Sequence, residues 1–201
     1  AIAEISKAHG ALLVVDNTFL TPYFQKPIEL GADIVIHSGT KYLAGHNDTT
    51  AGFIVVNSEE LEARIGLILR TEGNGLSPFD SWLVLRGIQT LALRMKQHEK
   101  NAIKVAEFLK NHPAVEKVHF VGDKDNPSYD VTMRQTTGFG GMISFVIKDV
   151  NKVEQVLCGG NMIMFAESLG GTATLITYPQ AQTHASIPAE IRNKIGITDR
   201  L

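Results

Sequence analysis

Apolar positions along the chain repeat with two different periods. Ile2, Ile5 and Ala8 are spaced for one face of a helix, which predicts a helix over residues 1–9 stopped by Gly10. Val14 and Val15, and then Ile34, Val35 and Ile36, form short β-branched runs without alternation. Such runs suit strands buried on both faces, as in a parallel sheet. They predict a strand over 11–15 closed by Asp16 and a second over 34–36. Between them, residues 18–23 are predicted as loop and Pro27 to Leu30 as a short helix ending at Gly31. GFIVV at 52–56 predicts a third strand, and Asn57 or Ser58 caps the helix begun by EELEARI.

GNGLSP (73–78) is the clearest break. A long helical pattern follows over 79–111, with Gly87 and a bend near Thr90 dividing it, and with Leu83, Leu91, Met95, Ala102 and Phe108 as its core stripe. VEKVHF then alternates like a half-buried strand. Residues 122–137 are mostly polar, with Tyr129, Val131 and Met133 as the candidates for contact. MISFVI predicts a strand, VNKVEQVLCG a helix, MIMFAES another strand and ASIPAEIRNKIG a short final helix. The alternation predicts an α/β protein: part of a large three-layer domain over 1–88, then a smaller α/β domain over 89–201 that is incomplete at its end.

The bulk composition narrows the function classes. With 201 residues, 44% of them hydrophobic, the chain can bury a sizeable core. A formal net charge of −2, with scattered lysines and arginines, points to neither nucleic acid nor an anionic membrane surface. No apolar run approaches the roughly 20 residues of a spanning helix. One cysteine, Cys158, rules out an intrachain disulfide and suits a reducing cytoplasm. Seven scattered histidines show no metal-ligand spacing, so no metal is expected. The chain opens at Ala1 inside a helical pattern without an initiator methionine and closes in GITDRL as a new strand pattern begins, so it is expected to be the second half of a longer protein.

Ligands of parallel sheets gather beyond the carboxyl ends of the strands. There the sequence places Asp16 after the first strand and Ser38, Thr40 and Lys41, in the group SGTK, after the second. A lysine amine can hold the aldehyde of pyridoxal phosphate (PLP), a carboxylate can keep its ring nitrogen protonated, and hydroxyls two residues apart can reach its phosphate. The same residues also fit an ordinary solvated lysine and an aspartate that ends a strand as a turn former. Spacing alone leaves both open. A phosphate- or nucleotide-binding module without catalysis would carry a G-x-G-x-x-G or G-x-x-x-x-G-K-[ST] loop, and neither occurs.

Five ordered stretches, VVDNTF, ELGADIVIHSGTKYLAGH, LRGIQTLALRM, FAESLGG and QTHASIP, resemble the Cys/Met-metabolism family of PLP enzymes from end to end. That family includes cystathionine γ-synthase, the cystathionine lyases, methionine γ-lyase and the O-acylhomoserine sulfhydrylases. The resemblance implies fold-type I, like aspartate aminotransferase. It implies that Lys41 bonds the cofactor, that Asp16 pairs with the ring nitrogen, and that Ser38 and Thr40 bind phosphate. Thr18 is divided between a cofactor-side contact and a turn role. Ser168 is expected beside the substrate or the freed lysine, with Glu167 next to it either facing a distal ammonium or lying on the rim. Family phosphate donors and a stacking tyrosine are expected before Ala1, and the arginine for the substrate carboxylate after Leu201. Tyr42 and Arg200 are therefore not those residues.

FAESLGG with LITYPQAQTHASIPAEIR most resembles bacterial γ-synthases, which join an O-acylhomoserine and cysteine to give cystathionine. Cystathionine β- and γ-lyases are the near alternative, and Thr172 to Thr174 depart from the family's usual glutamate–serine pair. The resemblance also implies a cytoplasmic homotetramer with active sites shared between subunits. His46 and His184 are read as backbone-bonded turn residues, and Arg86 and Arg94 as structural ion pairs or interface contacts.

Overall fold

The computed structural model describes residues 1–201. Helix α1 (Ile2–Ala8) leads into strand β1 (Val14–Asp16). A helical turn, α2 (Thr21–Phe24), and a 3-10 turn (Pro27–Leu30) then carry the chain to β2 (Ile34–Ser38). After a wide π-helical turn (Gly39–Leu43) come β3 (Gly52–Val56) and helix α3 (Glu59–Glu72), whose Ser58 cap accepts from the Leu61 amide. The expected loop at 18–23 thus contains a helical turn, because Thr21 and Phe24 are buried and the Phe24 ring joins the core.

Strands β1 and β2 are parallel, with Val14 opposite Ile34 and Asp16 opposite Ile36. Strand β3 runs antiparallel to β2 and sets Ser38 opposite Gly52. The sheet is therefore mixed, and its strands are not buried on both faces as their composition suggested. Val35 is buried, whereas Val14, Ile36 and Ile54 are exposed on faces that no other element of the chain covers.

Helices α4 (Pro78–Ile88) and α5 (Leu91–Lys110) replace the single long pattern, and they break at Gln89–Thr90 near the expected bend. Leu91, Met95, Ala102 and Ala106 form the buried face of α5, and Met95 is wholly enclosed. Phe108 does not belong to it: it stands two residues past Ala106, about 200° around the helix, and is 64% exposed. Phe24, Tyr42, Leu43, Leu91 and Met95 make the central cluster, which binds α2, the π turn and α5 into one body.

Beyond α5, β4 (Val115–His119) pairs antiparallel with β5 (Ser144–Ile147). Between them the polar stretch forms a helix, α6 (Tyr129–Gln135), held by Tyr129 stacking on Phe139. Helix α7 (Val153–Cys158) precedes β6 (Ile163–Phe165), and β6 pairs in parallel with β7 (Thr174–Ile176), a strand the apolar pattern did not announce. A short α8 (Ala189–Lys194) closes the order. No helix is long and apolar enough to cross a membrane.

Candidate active site

The lysine turn is built by its neighbours. Tyr42, Leu43 and Ala44 are all buried, which pulls the backbone inward straight after Lys41 and leaves the lysine half-buried at the edge of the core. The turn is one residue wider than an α-turn, with the Ala44 amide bonded to the Gly39 carbonyl at 3.0 Å. It kinks at Lys41 itself, where φ −88° and ψ −125° are not helical. Gly39 has no room for a methyl group, since a Cβ would lie 2.5 Å from the Phe53 ring and 2.9 Å from Ala51 Cβ.

The Lys41 amine donates to Ser168 Oγ at 3.0 Å. Ser168 holds φ 121°, a region that favours glycine, and such backbone strain collects where function needs one geometry. The glycines after it fasten the loop. A Cβ on Gly170 would meet the Tyr42 nitrogen at 2.6 Å, and one on Gly171 would strike the Asn47 side chain. FAESLGG is thus seated on the lysine turn. Glu167, one residue earlier, is exposed on its rim.

Asp16 accepts the Thr18 amide at 2.9 Å. Hydrogen bonds from the Thr18 side chain and backbone hold its carboxyl below the usual carboxylate range, with a smaller contribution from nearby His37. Thr18 is buried, and its hydroxyl also accepts the Ser38 amide at 2.8 Å. One threonine therefore ties the carboxyl ends of β1 and β2 together. Ser38 Oγ has no partner. Thr40 Oγ1 does: it accepts the Ala51 amide at 3.0 Å and faces the Ala51 carbonyl at 3.3 Å.

Behind Asp16, His37 is buried and its Nδ1 has no partner; desolvation lowers its pKa, against the opposing pull of Asp16. Asn17 donates to the Gln25 carbonyl at 2.9 Å, while its Oδ1 is unpartnered. His46 bonds the Ala44 carbonyl, a turn role. Tyr42 is core, and Arg200 pairs with Glu116 while its carbonyl accepts the Ile147 amide.

Of the two helix arginines, Arg86 lies over the Trp82 ring. Arg94 forms no ion pair. It donates to the carbonyls of Tyr42, Leu43 and Gly87, a role its charge and helical position did not reveal. No cluster of histidine, cysteine or carboxylate side chains suited to a metal is present.

A lysine hydrogen-bonded to a strained serine on a glycine-pinned loop, with an aspartate and a serine at the carboxyl ends of β1 and β2, is chemically suited to a carbonyl-bearing phosphate cofactor. The whole chain, residues 1–201, matches the family described as Cys/Met metabolism PLP-dependent enzyme, and the chain belongs to that family. It is 52% identical over 200 residues to a cystathionine β-lyase of Lactococcus lactis subsp. cremoris (strain MG1363), covering all of this chain and 53% of the relative.

Its fold, fold-type I, matches the crystal structure of cystathionine γ-lyase from Lactobacillus plantarum complexed with L-serine, with a TM-score of 0.93 and 44% identity. It also matches that of cystathionine γ-synthase from Xanthomonas oryzae pv. oryzae in complex with aminoacrylate and cysteine, with a TM-score of 0.96 and 42% identity. Each match covers 99% of this chain and 52% of the other. The chain therefore spans about half the length of the relatives it matches.

Proposed function

We propose that this chain supplies the lysine-bearing part of a PLP enzyme acting at the β or γ carbon of cystathionine-type amino acids. The observation that carries the reading is the Lys41–Ser168 contact, which joins the two most site-like sequence motifs across the fold. The residues fit the cofactor in three places. Asp16 is kept ionised, as a ring-nitrogen partner must be. Ser38 has a free hydroxyl for phosphate, and the Lys41 amine stands at an accessible edge. Thr40 fits only if its hydroxyl turns from the Ala51 carbonyl towards phosphate. When bound, PLP supplies an electron sink for the negative charge left at Cα.

The protein's own groups do the rest. Lys41 bonds the cofactor and, once freed, moves protons at the substrate. Ser168 receives the lysine amine and keeps it aimed. Thr18 sets the carboxylate of Asp16, and Glu167 lies at the rim where a distal ammonium would approach.

Cleavage of cystathionine is the first reading, because the Lactococcus lactis relative at 52% identity is a β-lyase. The γ-replacement expected from FAESLGG is the second, supported by the Xanthomonas oryzae γ-synthase structure with aminoacrylate and cysteine. A cytoplasmic homotetramer, with a domain division near residue 88, belongs to the same proposal; the separate sheets on either side of the α4–α5 break support the division, while Leu91 and Met95 at the start of α5 pack into the core of the first part.

Product analysis of the full-length protein containing this chain tests the reaction. Cystathionine converted to homocysteine and pyruvate supports β-cleavage, and conversion to cysteine and 2-oxobutyrate supports γ-cleavage. Cystathionine made from cysteine with O-acetyl- or O-succinylhomoserine supports replacement. No turnover of any of these by PLP-loaded protein would overturn the proposal.

A further inference from the structure

The guanidinium of Arg94 uses every nitrogen on the far side of the lysine turn. Nη1 donates to the Tyr42 carbonyl at 2.7 Å, and Nη2 to the carbonyls of Gly87 at 2.7 Å and Leu43 at 3.3 Å. Nε donates to Thr90 Oγ1 at 2.9 Å. No carboxylate pairs with it, and burial pulls its pKa down. A half-buried cation bonded only to neutral oxygens, three carbonyls and one hydroxyl, is unusual, because such a charge is ordinarily paired with an anion. Two of these carbonyls, of Tyr42 and Leu43, stand at the end of the wide, kinked turn, and the third, of Gly87, stands at the end of α4. At such ends partial negative charge accumulates, and the guanidinium ties the two ends together.

The turn is gripped from both sides. Gly170 closes on the Tyr42 nitrogen from one, and from the other Gly87 abuts the Ala44 carbonyl, where an added Cβ would lie 2.1 Å away. Gly45 leaves the guanidinium its space, since a Cβ there would meet Nη1 at 2.2 Å.

We propose that Arg94 is a positioning residue for Lys41: by binding the Tyr42, Leu43 and Gly87 carbonyls it holds the turn in the kinked form that aims the lysine amine at Ser168. This rests on the assignment of Lys41 as the cofactor-bonding lysine. Without the guanidinium the turn relaxes towards regular geometry, and the amine loses its place before the fold does. A lysine at 94 keeps the charge but lacks the planar fork that serves several acceptors at once.

The test uses the PLP-loaded full-length protein with Arg94→Ala, Arg94→Lys, Lys41→Ala and the control Arg86→Ala. The readouts are the fraction of bound PLP trapped on residue 41 by borohydride and peptide mapping, the separate kcat and KM values, and thermal melts. Arg94→Ala should lower the trapped fraction and kcat at least tenfold with a smaller change in KM. Millimolar methylguanidinium should restore part of both, which a merely structural loss would not allow. Arg94→Lys should fall between, and it carries the test if Arg94→Ala does not fold. Arg86→Ala should match the unaltered protein.

Unchanged trapping and kcat in both Arg94 variants would overturn the proposal, as would a loss in step with lowered melting that methylguanidinium does not rescue. Trapping that survives Lys41→Ala would instead overturn the assignment of the lysine.

Discussion

Gly170 lies against the backbone of Tyr42 so closely that a methyl group on it would come within 2.6 Å of the Tyr42 nitrogen and 2.9 Å of the Lys41 carbonyl carbon. Residues far apart in sequence thereby become one structure: the loop after β6 rests on the turn after β2. Its φ of 80° also demands glycine. Gly170→Ala should lower stability by roughly 1–3 kcal/mol through backbone strain and steric conflict. It should lower turnover further, because Ser168 is carried away from Lys41. Thermal melts beside steady-state kinetics check this, and a normal Lys41 environment in a folded Gly170→Ala protein would contradict it.

Lys41→Ala should abolish turnover while PLP is still held, since Asp16 and Ser38 remain. In the unaltered protein, borohydride should place the cofactor on Lys41. Label on any other lysine would reject the assignment.

Asp16→Asn should reduce activity more than cofactor retention, because an amide cannot keep the ring nitrogen protonated. It has a second consequence inside the protein. The Asp16 charge raises the pKa of His37 against the larger effect of burial, so its removal should lower the imidazole further. An NMR titration of His37 in cofactor-free Asp16→Asn protein reads that shift, and no downward movement would show that the two groups are not coupled.

Much of the candidate site is legible in the sequence because its residues are concentrated in strand-end motifs. Asp16, Ser38 and Lys41 follow short β-branched runs, and parallel pairing of β1 with β2 brings the ends of those runs to one edge. Ser168 was readable only through the family resemblance of FAESLGG. The apolar pattern missed what depends on partners distant in sequence. It did not show that the helix bearing Arg94 would dock on the Tyr42 carbonyl, that Thr40 would bond Ala51, or that β7 would form beside β6. Phe108 departs from the expected core stripe for a different reason: it is apolar and helical but stands on the face opposite Ala106. Burial of the strands on both faces failed because composition records what a strand can bury, not what this chain places over it.

Stability should fall as the solution is made acidic. His37 and His98 both have pKa values lowered chiefly by burial, from an ordinary 6.5. Below that value the unfolded chain takes up protons that the folded state refuses, so the stabilisation is full above it and is lost as pH falls through the lowered folded values. Asp16, with its lowered carboxyl, adds a second loss of the same sign further into acid. Thermal midpoints measured from about pH 8 down to about pH 5 should decline, and His37→Gln should make the decline shallower. A midpoint independent of pH across that window would contradict the lowering of both imidazoles by burial.

Ser168 offers a way to separate its hydroxyl from its backbone. The hydroxyl receives the Lys41 amine, while φ 121° places the residue where side chains are disfavoured, at a cost on the order of 1–3 kcal/mol. Ser168→Ala removes the hydroxyl and keeps the strain. Ser168→Gly removes both, although glycine also makes the unfolded chain freer by roughly 0.5–1 kcal/mol. Ser168→Gly should therefore melt at or above Ser168→Ala, and both should lose activity, with kcat falling more than substrate affinity because the lysine is no longer aimed. If Ser168→Gly proved more stable than the unaltered protein and yet inactive, the strain would be a structural cost maintained for the contact with Lys41. If either variant kept full kcat, the contact would be incidental, and the fastening of this loop by Gly170 and Gly171 would need a purpose other than holding the lysine.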